Sequence, residues 1–257
     1  MLSTDRNIFK EGSLSRKRMA EYGKLVSELH IIIFSLKKNN FENSRISENV
    51  FLYPTSSLSR FCYVFNAYKI SKKILSENNK DFLITSQDPF ETGITGYLIK
   101  RKFKIPWQTQ IHTDFLSPYF AKESLLNKIR VKMAKNLIPR ADNIRVVSAR
   151  IKKSLIEILK TPESKIAVLP VYVDICKIEK IGKIENLREK YPEFDFIIFM
   201  ASRLSREKNI NLALEAIKEI VKTYPKTGLV IAGDGKEKQS LLRIVSDLGI
   251  EKNVKFL

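Results

Sequence analysis

The stretch FIIFMASRLSREKNINLALEAI, residues 196–217, decides the fold of this chain. Its apolar start predicts a buried strand over 194–200, and its end predicts a helix over 209–223. A short polar loop with Arg203 and Lys208 joins the two. In open α/β sheets ligands bind beyond the carboxyl ends of strands, where a helix N-terminus also favours an anion. The two cations therefore predict an anion site, although on spacing alone two solvated loop charges are the commoner interpretation.

The same alternation of short β-branched runs and longer amphipathic stretches fills the rest of the chain, which predicts the α/β class. In the first part we expect strands over 29–34, 50–53, 82–85, 107–111, 144–147 and 166–169, with residues 1–4 as the end of an earlier strand. Helices are expected over 57–75, 91–103, 124–138 and 148–159. This part is predicted to be one doubly wound domain.

A lysine-rich stretch, KIEKIGKIENLREKYPEF at residues 177–194, interrupts the alternation. We therefore expect a first domain over 1–176, a linker over 177–192 and a second domain over 193–257. After strand 194–200 and helix 209–223, the second domain is predicted to contain a strand over 228–232, a helix over 236–247 and a last strand near Val254. About three strands is fewer than the usual four to six, so the second domain is expected to be incomplete.

Composition indicates a folded, cytoplasmic protein. The chain of 257 residues is 44% hydrophobic and 29% charged, which is typical of globular proteins. No apolar run approaches the roughly 20 residues that span a bilayer. The N-terminus lacks the apolar core of a secretory leader, and Cys62 and Cys176 form no redox or zinc spacing.

The positive charge is concentrated in the first part of the chain. The net charge is +18, and residues 1–180 contribute +15 of it, from 32 Lys and Arg against 17 Asp and Glu. Such an excess indicates a polyanionic neighbour, namely nucleic acid, anionic lipid or a phosphorylated substrate. Nucleic acid is disfavoured because no nucleic-acid-binding motif accompanies the charge. The predicted helix 124–138 has an apolar stripe among basic residues, a pattern that suits anionic lipid, although packing on the sheet is the simpler interpretation.

The stretch LVIAGDGKEKQSLL, residues 229–242, places Gly233, Asp234 and Gly235 between a strand and a helix. Glycines there would let a ligand approach the backbone closely. The pattern matches neither the dinucleotide nor the phosphate-loop fingerprint, so alone it is more often a turn.

An Arg fork and a mobile Lys, as at Arg203 and Lys208, can neutralise a diphosphate without a metal.

Taken in order, these motifs resemble the retaining family-four glycosyltransferases, also described as glycosyl transferases group 1. The resemblance runs through RL and EK, the helix with AL-EA-I, the LVIAGDG strand and the final VKFL. It implies a GT-B type fold of two Rossmann-like doubly wound domains, the second incomplete here. It also implies that Arg203 and Lys208 grip the diphosphate of a nucleotide-sugar, with the turn at 233–235 beside the nucleotide.

The first domain carries the resemblance further. DFLITSQDPFETGITGYLIKRKFKIPWQTQIHTDF, residues 81–115, resembles the family segment whose second strand ends in a histidine that contacts the transferred sugar. That residue is His112, which the resemblance makes the catalytic candidate. Gly12, followed by Ser13, stands where the family often has a glycine pair near the phosphates, so it is a weaker diphosphate-binding candidate.

Two departures from the family pattern limit these expectations. Val171 and Tyr172 replace a usual Asn-Gly pair, and the family's two glutamates, seven residues apart, would lie beyond Leu257. The activity of the chain by itself is therefore uncertain.

The expected function is transfer of a sugar from a nucleoside diphosphate donor to a carbohydrate or lipid-linked acceptor, with retention and without a metal or other cofactor. The expected location is the cytoplasm, with an anionic membrane surface such as the inner face of the plasma membrane as a further candidate partner. A non-catalytic remnant that binds polyanions or membranes is the first alternative. A nucleotide-sugar epimerase is the second.

Overall fold

The computed structural model describes residues 1–77, 81–173, 175–180 and 186–257. They form two compact units, unit 1 over Met1–Tyr172 and unit 2 over Val173–Leu257. The expected linker over 177–192 lies partly outside the described residues, and the domain boundaries stay a prediction.

Unit 1 is built on one eight-stranded sheet. Its strands are β1 (Leu2–Ser3), β2 (Leu29–Ile33), β3 (Ser44–Ser47), β4 (Val50–Pro54), β5 (Ile84–Ser86), β6 (Trp107–Ile111), β7 (Asn143–Val146) and β8 (Ile166–Val168). Its α-helices are α1 (Leu14–Gly23), α2 (Tyr63–Glu77), α3 (Glu91–Phe103), α4 (Pro118–Lys122), α5 (Leu125–Leu137) and α6 (Ala149–Leu159). Short 3₁₀ turns lie at Arg6–Phe9, Lys37–Asn39, Arg60–Cys62, Ile138–Arg140 and Glu163–Lys165.

The strand order is β3-β4-β2-β1-β5-β6-β7-β8, and every pair is parallel except β3 with β4. From β1 the chain moves outward through β2 to β4, then returns to the other side of β1 and continues from β5 to β8. The order of the strands reverses between β1 and β5, which is where ligands bind in open sheets of this kind. The prediction of a doubly wound α/β domain is confirmed.

Strand β2 shows why both faces of this sheet are covered. Its residues Ile31 and Ile33 belong to a core cluster that includes Met19 of α1. Ile32 and the adjoining Phe34 belong to the main cluster, which also contains residues of α2, α3 and α5. Successive side chains of a strand point to opposite faces, so an unbroken apolar run requires helices on both sides.

Unit 2 contains a smaller parallel sheet in the order β11-β10-β9. Its strands are β9 (Phe196–Ala201), β10 (Thr227–Ala232) and β11 (Val254–Phe256). Its α-helices are α7 (Ile175–Lys180), α8 (Leu187–Lys190), α9 (Ile210–Thr223) and α10 (Lys238–Asp247), and a 3₁₀ turn lies at Arg206–Lys208. The core is formed by β10 and the inner stripes of α9 and α10, with Leu214, Ile231 and Leu241 at its centre.

The strand predicted over 194–200 is present at Phe196–Ala201, but the prediction that it is buried is wrong. Phe196 is 61% exposed and Phe199 is 53% exposed. Within the described residues β9 pairs with β10 alone, so it is an edge strand and water reaches its open side. Apolar composition by itself does not reveal whether a second neighbour covers a strand.

Five elements were not predicted from the sequence, namely α1, β3, α4, α7 and α8. Helix α1 buries only Met19 and Gly23, so its apolar periodicity is weak. Strand β3 is a polar edge strand in which Ile46 alone is partly buried. Elements that bury so little leave almost no pattern in the sequence.

Glycine at position 96 allows α3 to pack closely on the sheet. A Cβ there would lie 2.5 Å from Nε1 of Trp107 and 2.8 Å from its Cδ1. The Trp107 side chain is fully buried, and its Nε1 donates a hydrogen bond to Ser86 Oγ at 3.0 Å. The indole therefore has little freedom to make room.

We predict that Gly96→Ala lowers the free energy of unfolding of unit 1 by about 1–3 kcal/mol, the usual cost of overpacking, despite the better helix propensity of alanine. Trp107 is the single tryptophan of the chain, so denaturant unfolding followed by its fluorescence measures this unit. Lys102→Ala, at an exposed site of the same helix, is the control and should change little. Equal midpoints for Gly96→Ala and the parent protein would show that the α3 contact is loose.

Candidate functional site

The candidate residues of unit 1 lie in the loops that follow parallel strands. Gly12 is in the loop after β1, and His112 comes directly after β6. Strand β5 lies between β1 and β6, so these loops emerge at the same edge of the sheet. The edge includes the point where the strand order reverses.

The loop after β1 is held by its own polar side chains. The Asp5 carboxylate accepts hydrogen bonds from the Asn7 backbone N–H and the Ser15 hydroxyl. The Ser13 side chain caps α1 by accepting from the Arg16 N–H at 3.2 Å. Gly12, between these anchors, is exposed with φ +72°, and apart from its chain neighbours no described atom lies within 4 Å of where a Cβ would stand. The structure thus leaves its backbone accessible, and its role in phosphate binding stays a prediction.

His112 is oriented by a hydrogen-bond chain across three strands. Its Nε2 lies 3.2 Å from Oε1 of Gln110. The same oxygen accepts from Nη1 of Arg145 at 3.1 Å, while Nε2 of Gln110 donates to Thr85 Oγ1 at 3.1 Å. Arg145 is held in turn by the carbonyl of Leu169, at 3.3 Å from Nη2. The imidazole is exposed, but its hydrogen bond with Gln110 sets its orientation.

The electrostatic environment of His112 favours the neutral ring. Desolvation by the surrounding protein is the main cause that lowers the pKa of the imidazole, and the positive charges of Arg145 and Arg18 lower it further. Arg18 lies on α1, so this helix contributes charge to the region around His112. A cationic histidine is disfavoured here because it would meet two other cations.

Sequence reasoning missed Gln110 and Arg145. The signal was available for Gln110, because alternate residues of a strand share a face and Gln110 precedes His112 by two positions. For Arg145 the signal was a charged residue inside an otherwise apolar strand, NIRV.

Asp88 also lies at this edge, after β5, and has a structural role. Its Oδ1 accepts the backbone N–H of Phe90 at 2.8 Å, and its carbonyl accepts the Thr92 hydroxyl. Desolvation raises the pKa of its carboxyl, and the Phe90 N–H opposes that effect. These bonds shape the turn into α3.

In unit 2 the candidate anion site follows β9. The Arg203 side chain is 76% exposed, and Nη2 lies 3.1 Å from Oε1 of Glu207. Lys208, at the end of the following 3₁₀ turn, is also exposed. The nearby Ser205 hydroxyl and Glu207 backbone N–H, with the charges of Arg203 and Lys208, lower the pKa of the Glu207 carboxyl. An exposed pair of this kind is worth about 0–1 kcal/mol, so a stronger anion can take Arg203 from Glu207.

The start of α9 adds backbone donors to this loop. Asn209 precedes the helix in the left-handed conformation, φ +47°, and its side chain makes no capping hydrogen bond to the described residues. Helix N-termini carry unpaired N–H groups and a partial positive charge. Arg203 and Lys208 therefore share their loop with a third source of positive potential.

The glycines after β10 bring two loops of unit 2 together. A Cβ on Gly233 would overlap the carbonyl oxygen of Ser202, and one on Gly235 would overlap that of Leu204. The Leu204 N–H donates to the Asp234 carbonyl at 2.9 Å, and the Glu237 N–H donates to the Leu204 carbonyl at 3.1 Å. The space beside both glycines is therefore occupied by the protein's own backbone, at Ser202 and Leu204. A direct contact of 233–235 with a nucleotide stays a prediction.

Asp234 faces solvent, and its Oδ1 accepts the Gly235 N–H at 2.8 Å. Across the described residues, no group of three His, Cys, Asp or Glu side chains is arranged to hold a metal ion. No helix in the described part of the chain is long and apolar enough to span a membrane.

Comparison with known proteins assigns both parts of the chain to sugar-transferring families. Residues 24–176 match the family model for Glycosyltransferase Family 4, and residues 183–257 match the model for Glycosyl transferases group 1.

Among curated relatives, an uncharacterized glycosyltransferase of Methanocaldococcus jannaschii is 28% identical over 219 residues, which cover 82% of this chain and 52% of the relative. An alpha-monoglucosyldiacylglycerol synthase of Streptococcus pneumoniae is 28% identical over 203 residues, which cover 76% of this chain and 45% of the relative. The chain thus spans about half the length of these curated relatives.

Among solved structures, HepE of Anabaena in complex with UDP superposes with a TM-score of 0.64 at 18% identity, covering 100% of this chain and 67% of that chain. At this identity the likeness establishes the fold, and the prediction of a GT-B architecture is confirmed. The family model for Glycosyltransferase Family 4 matches residues 24–176, more than half of the chain, so this protein belongs to Glycosyltransferase Family 4.

Proposed function

We propose that this chain acts in the transfer of a sugar from a nucleoside diphosphate donor to an acceptor, with retention of anomeric configuration. The observation that carries the proposal is the pair Arg203 and Lys208, exposed beyond the carboxyl end of β9 at the start of α9. Family membership makes a nucleotide-sugar the anion that suits this loop. Retention is checked by the anomeric configuration of the product, measured by NMR.

Chemically, Arg203 and Lys208 act on the departing diphosphate. As the bond between sugar and phosphate breaks, negative charge grows on the leaving group, and nearby cations lower the barrier by stabilising that charge. A guanidinium binds two phosphate oxygens in one plane, and a lysine supplies a mobile point charge. The reaction so described requires no metal ion.

His112 contributes as a neutral hydrogen-bonding group in the reaction. Oε1 of Gln110 already accepts from Arg145 and has no proton to give, so the His112 nitrogen that faces it carries the proton. This leaves Nδ1 as the acceptor on the ring. A neutral imidazole in this tautomer can accept a hydrogen bond from a sugar hydroxyl and does not repel a cationic transition state.

The acceptor is proposed to be a carbohydrate or a lipid-linked molecule held by unit 1. The lipid alternative is supported by the pneumococcal relative, whose name describes synthesis of a glucosylated diacylglycerol. The charge of +15 over residues 1–180 also suits an anionic membrane surface. The proposed location is therefore the cytoplasm, including a membrane face.

Two rival functions give different outcomes with the same nucleotide-sugars. A non-catalytic module that binds polyanions would bind the donor weakly or not at all and release no nucleoside diphosphate with any acceptor. A nucleotide-sugar epimerase would convert the free donor reversibly without an acceptor. Release of nucleoside diphosphate that depends on the acceptor supports the transferase.

We predict that Arg203→Ala weakens binding of a nucleoside diphosphate by about 1.5–3 kcal/mol, the usual value of a charged hydrogen bond. Isothermal titration calorimetry with UDP and GDP measures the change. Arg206→Ala is the matched control, because Arg206 is an exposed arginine of the same loop with no assigned contact to the donor. Unchanged affinity in Arg203→Ala would remove Arg203 from the site.

For His112→Ala we predict that turnover falls by at least about a hundredfold while the dissociation constant of the donor stays within about twofold, since the ring acts on the reacting sugar. Turnover is measured by release of nucleoside diphosphate, and the dissociation constant by calorimetry. His30→Ala, which removes the other histidine of the chain, is the control for general effects of losing an imidazole. Normal turnover in His112→Ala would exclude the ring from the reaction.

The proton position on His112 is testable by NMR of the ring nitrogens. We predict the Nε2–H tautomer in the parent protein and a pKa below the usual value. Gln110→Glu puts a carboxylate beside the ring, so it should raise the pKa of His112. Gln110→Met removes the acceptor that faces Nε2, so both neutral tautomers should then be populated. The His30 signals provide the internal reference. An Nδ1–H tautomer in the parent protein would contradict the hydrogen-bond chain described above.

A further inference from the structure

Three large apolar side chains project into solvent at the start of α2. Leu58 is 84% exposed, Phe61 is 98% exposed and Phe65 is 61% exposed. We call these three residues the α2 tip. Large contiguous apolar patches are rare on the surface of monomeric soluble proteins, and they commonly mark a protein or membrane interaction site.

The core of unit 1 holds the α2 tip in this orientation. Tyr63, Ala67 and Ser71, on the opposite side of α2, are all buried. Residues three or four positions apart share a face of a helix, so Phe61 and Phe65 must lie on the outer side while this inner stripe packs on the sheet. The exposure of the phenylalanines therefore follows from the packing of the whole helix.

Cations without acidic neighbours in sequence surround the α2 tip. No Asp or Glu occurs between Glu48 and Glu77, and this stretch contains Arg60 and three lysines. The three lysines are exposed and continue the outer side of the helix, at Lys69, Lys72 and Lys73. The Lys69 ammonium lies 5.2 Å from the centre of the Phe65 ring, so charge and apolar surface are in direct contact.

A second basic segment reaches the same place from β2. Leu36 forms a parallel β-bridge with Ser57, and the Lys37 N–H donates to the Ser57 carbonyl at 2.9 Å. Lys37 and Lys38 are exposed, and the chain has no acidic residue between Glu28 and Glu42. Two separate stretches thus bring cations to the residues that precede the α2 tip.

The α2 tip lies at the edge of unit 1 that carries the candidate site. It follows the carboxyl end of β4, just as Gly12 follows β1 and His112 follows β6. All three strands are parallel members of one sheet, so their carboxyl ends share an edge. A surface that receives the α2 tip would face the same edge as His112.

We propose that the α2 tip inserts into the interfacial region of a bilayer that contains anionic lipids, while the surrounding lysines and arginine contact the lipid phosphates. Apolar side chains ringed by cations are the features that hold a helix in a membrane interface. The link between this membrane contact and a lipid-linked acceptor rests on the proposed function. Membrane binding itself can be measured without turnover.

Helix α5, the element that the sequence suggested for lipid contact, is a weaker candidate. Its first half exposes Leu125 and Ile129, but the exposed Glu123 lies just before it. Arg130 is already paired with Glu91, at 2.7 Å between Nη2 and Oε1. The mixed charge of this surface suits an anionic bilayer less than the stretch that carries the α2 tip, which has no acidic residue between Glu48 and Glu77.

The test is co-sedimentation with vesicles of phosphatidylcholine, with and without phosphatidylglycerol. We expect the parent protein to bind the vesicles that contain phosphatidylglycerol, and the double variant Phe61→Ser/Phe65→Ser to bind them at least about tenfold more weakly. Lys69→Gln/Lys72→Gln should weaken binding as well, and added salt should weaken binding of the parent protein.

A matched control uses exposed apolar residues of the same unit at the opposite edge. Leu25 is 80% exposed and Val26 is 46% exposed, and they lie between α1 and the amino end of β2. Leu25→Ser/Val26→Ser should bind vesicles as the parent protein does. Trp107 fluorescence on unfolding verifies that every variant is folded.

Three results would overturn the proposal: no binding of the parent protein to anionic vesicles, equal binding by Phe61→Ser/Phe65→Ser, or equal loss in the Leu25→Ser/Val26→Ser control. Self-association of the parent protein that the phenylalanine substitutions abolish would assign the tip to a protein interface instead. Calorimetry with UDP and GDP on the same variants separates the two proposals, since vesicle binding can fail while donor binding persists.

Discussion

The pairing of β1 on both sides is the constraint on which unit 1 depends. This strand has two residues, yet the Phe34 N–H donates to the Ser3 carbonyl at 2.9 Å and the Gln87 N–H donates to the Leu2 carbonyl at 3.0 Å. β1 thereby joins β2 to β5, and the strand order reverses beside it. Because the neighbouring strands are parallel, the loops after β1, β4 and β6 emerge together. One short strand thus gathers Gly12, the α2 tip and His112 at one edge.

Unit 2 has a different constraint, the close contact between two loops. Gly233 and Gly235 leave room for the backbone of Ser202 and Leu204, and any side chain there would push away the loop that carries Arg203. The glycines thus help to position the loop of Arg203, the candidate anion site, which the sequence did not reveal. Sequence spacing shows that glycine is present, and only the fold shows what occupies the space beside it.

The elements that could be predicted are those with a strong apolar pattern, such as β2, β6 and α9. Helix α1 and strand β3 could not, because they bury few side chains. The burial of β9 was predicted wrongly because its apolar run indicates a strand but does not show how many strands lie beside it. At the site, His112 came from family resemblance, whereas its bond to Gln110 depends on side-chain direction across a sheet. Periodicity therefore predicts elements better than it predicts partners.

The proposed membrane contact would give the basic charge of the first 180 residues a physical reason. A sequence count gives +15 but no direction, and helix α5 was the natural place to look for a lipid contact. Folding instead brings two sequence stretches without acidic residues, 29–41 and 49–76, together near Phe61 and Phe65, at the edge that also carries His112. A bilayer against that edge would present lipid headgroups beside the imidazole. The same surface would then both attract the membrane and bring a lipid-linked acceptor to the sugar, so one arrangement would account for charge, apolar exposure and site position together.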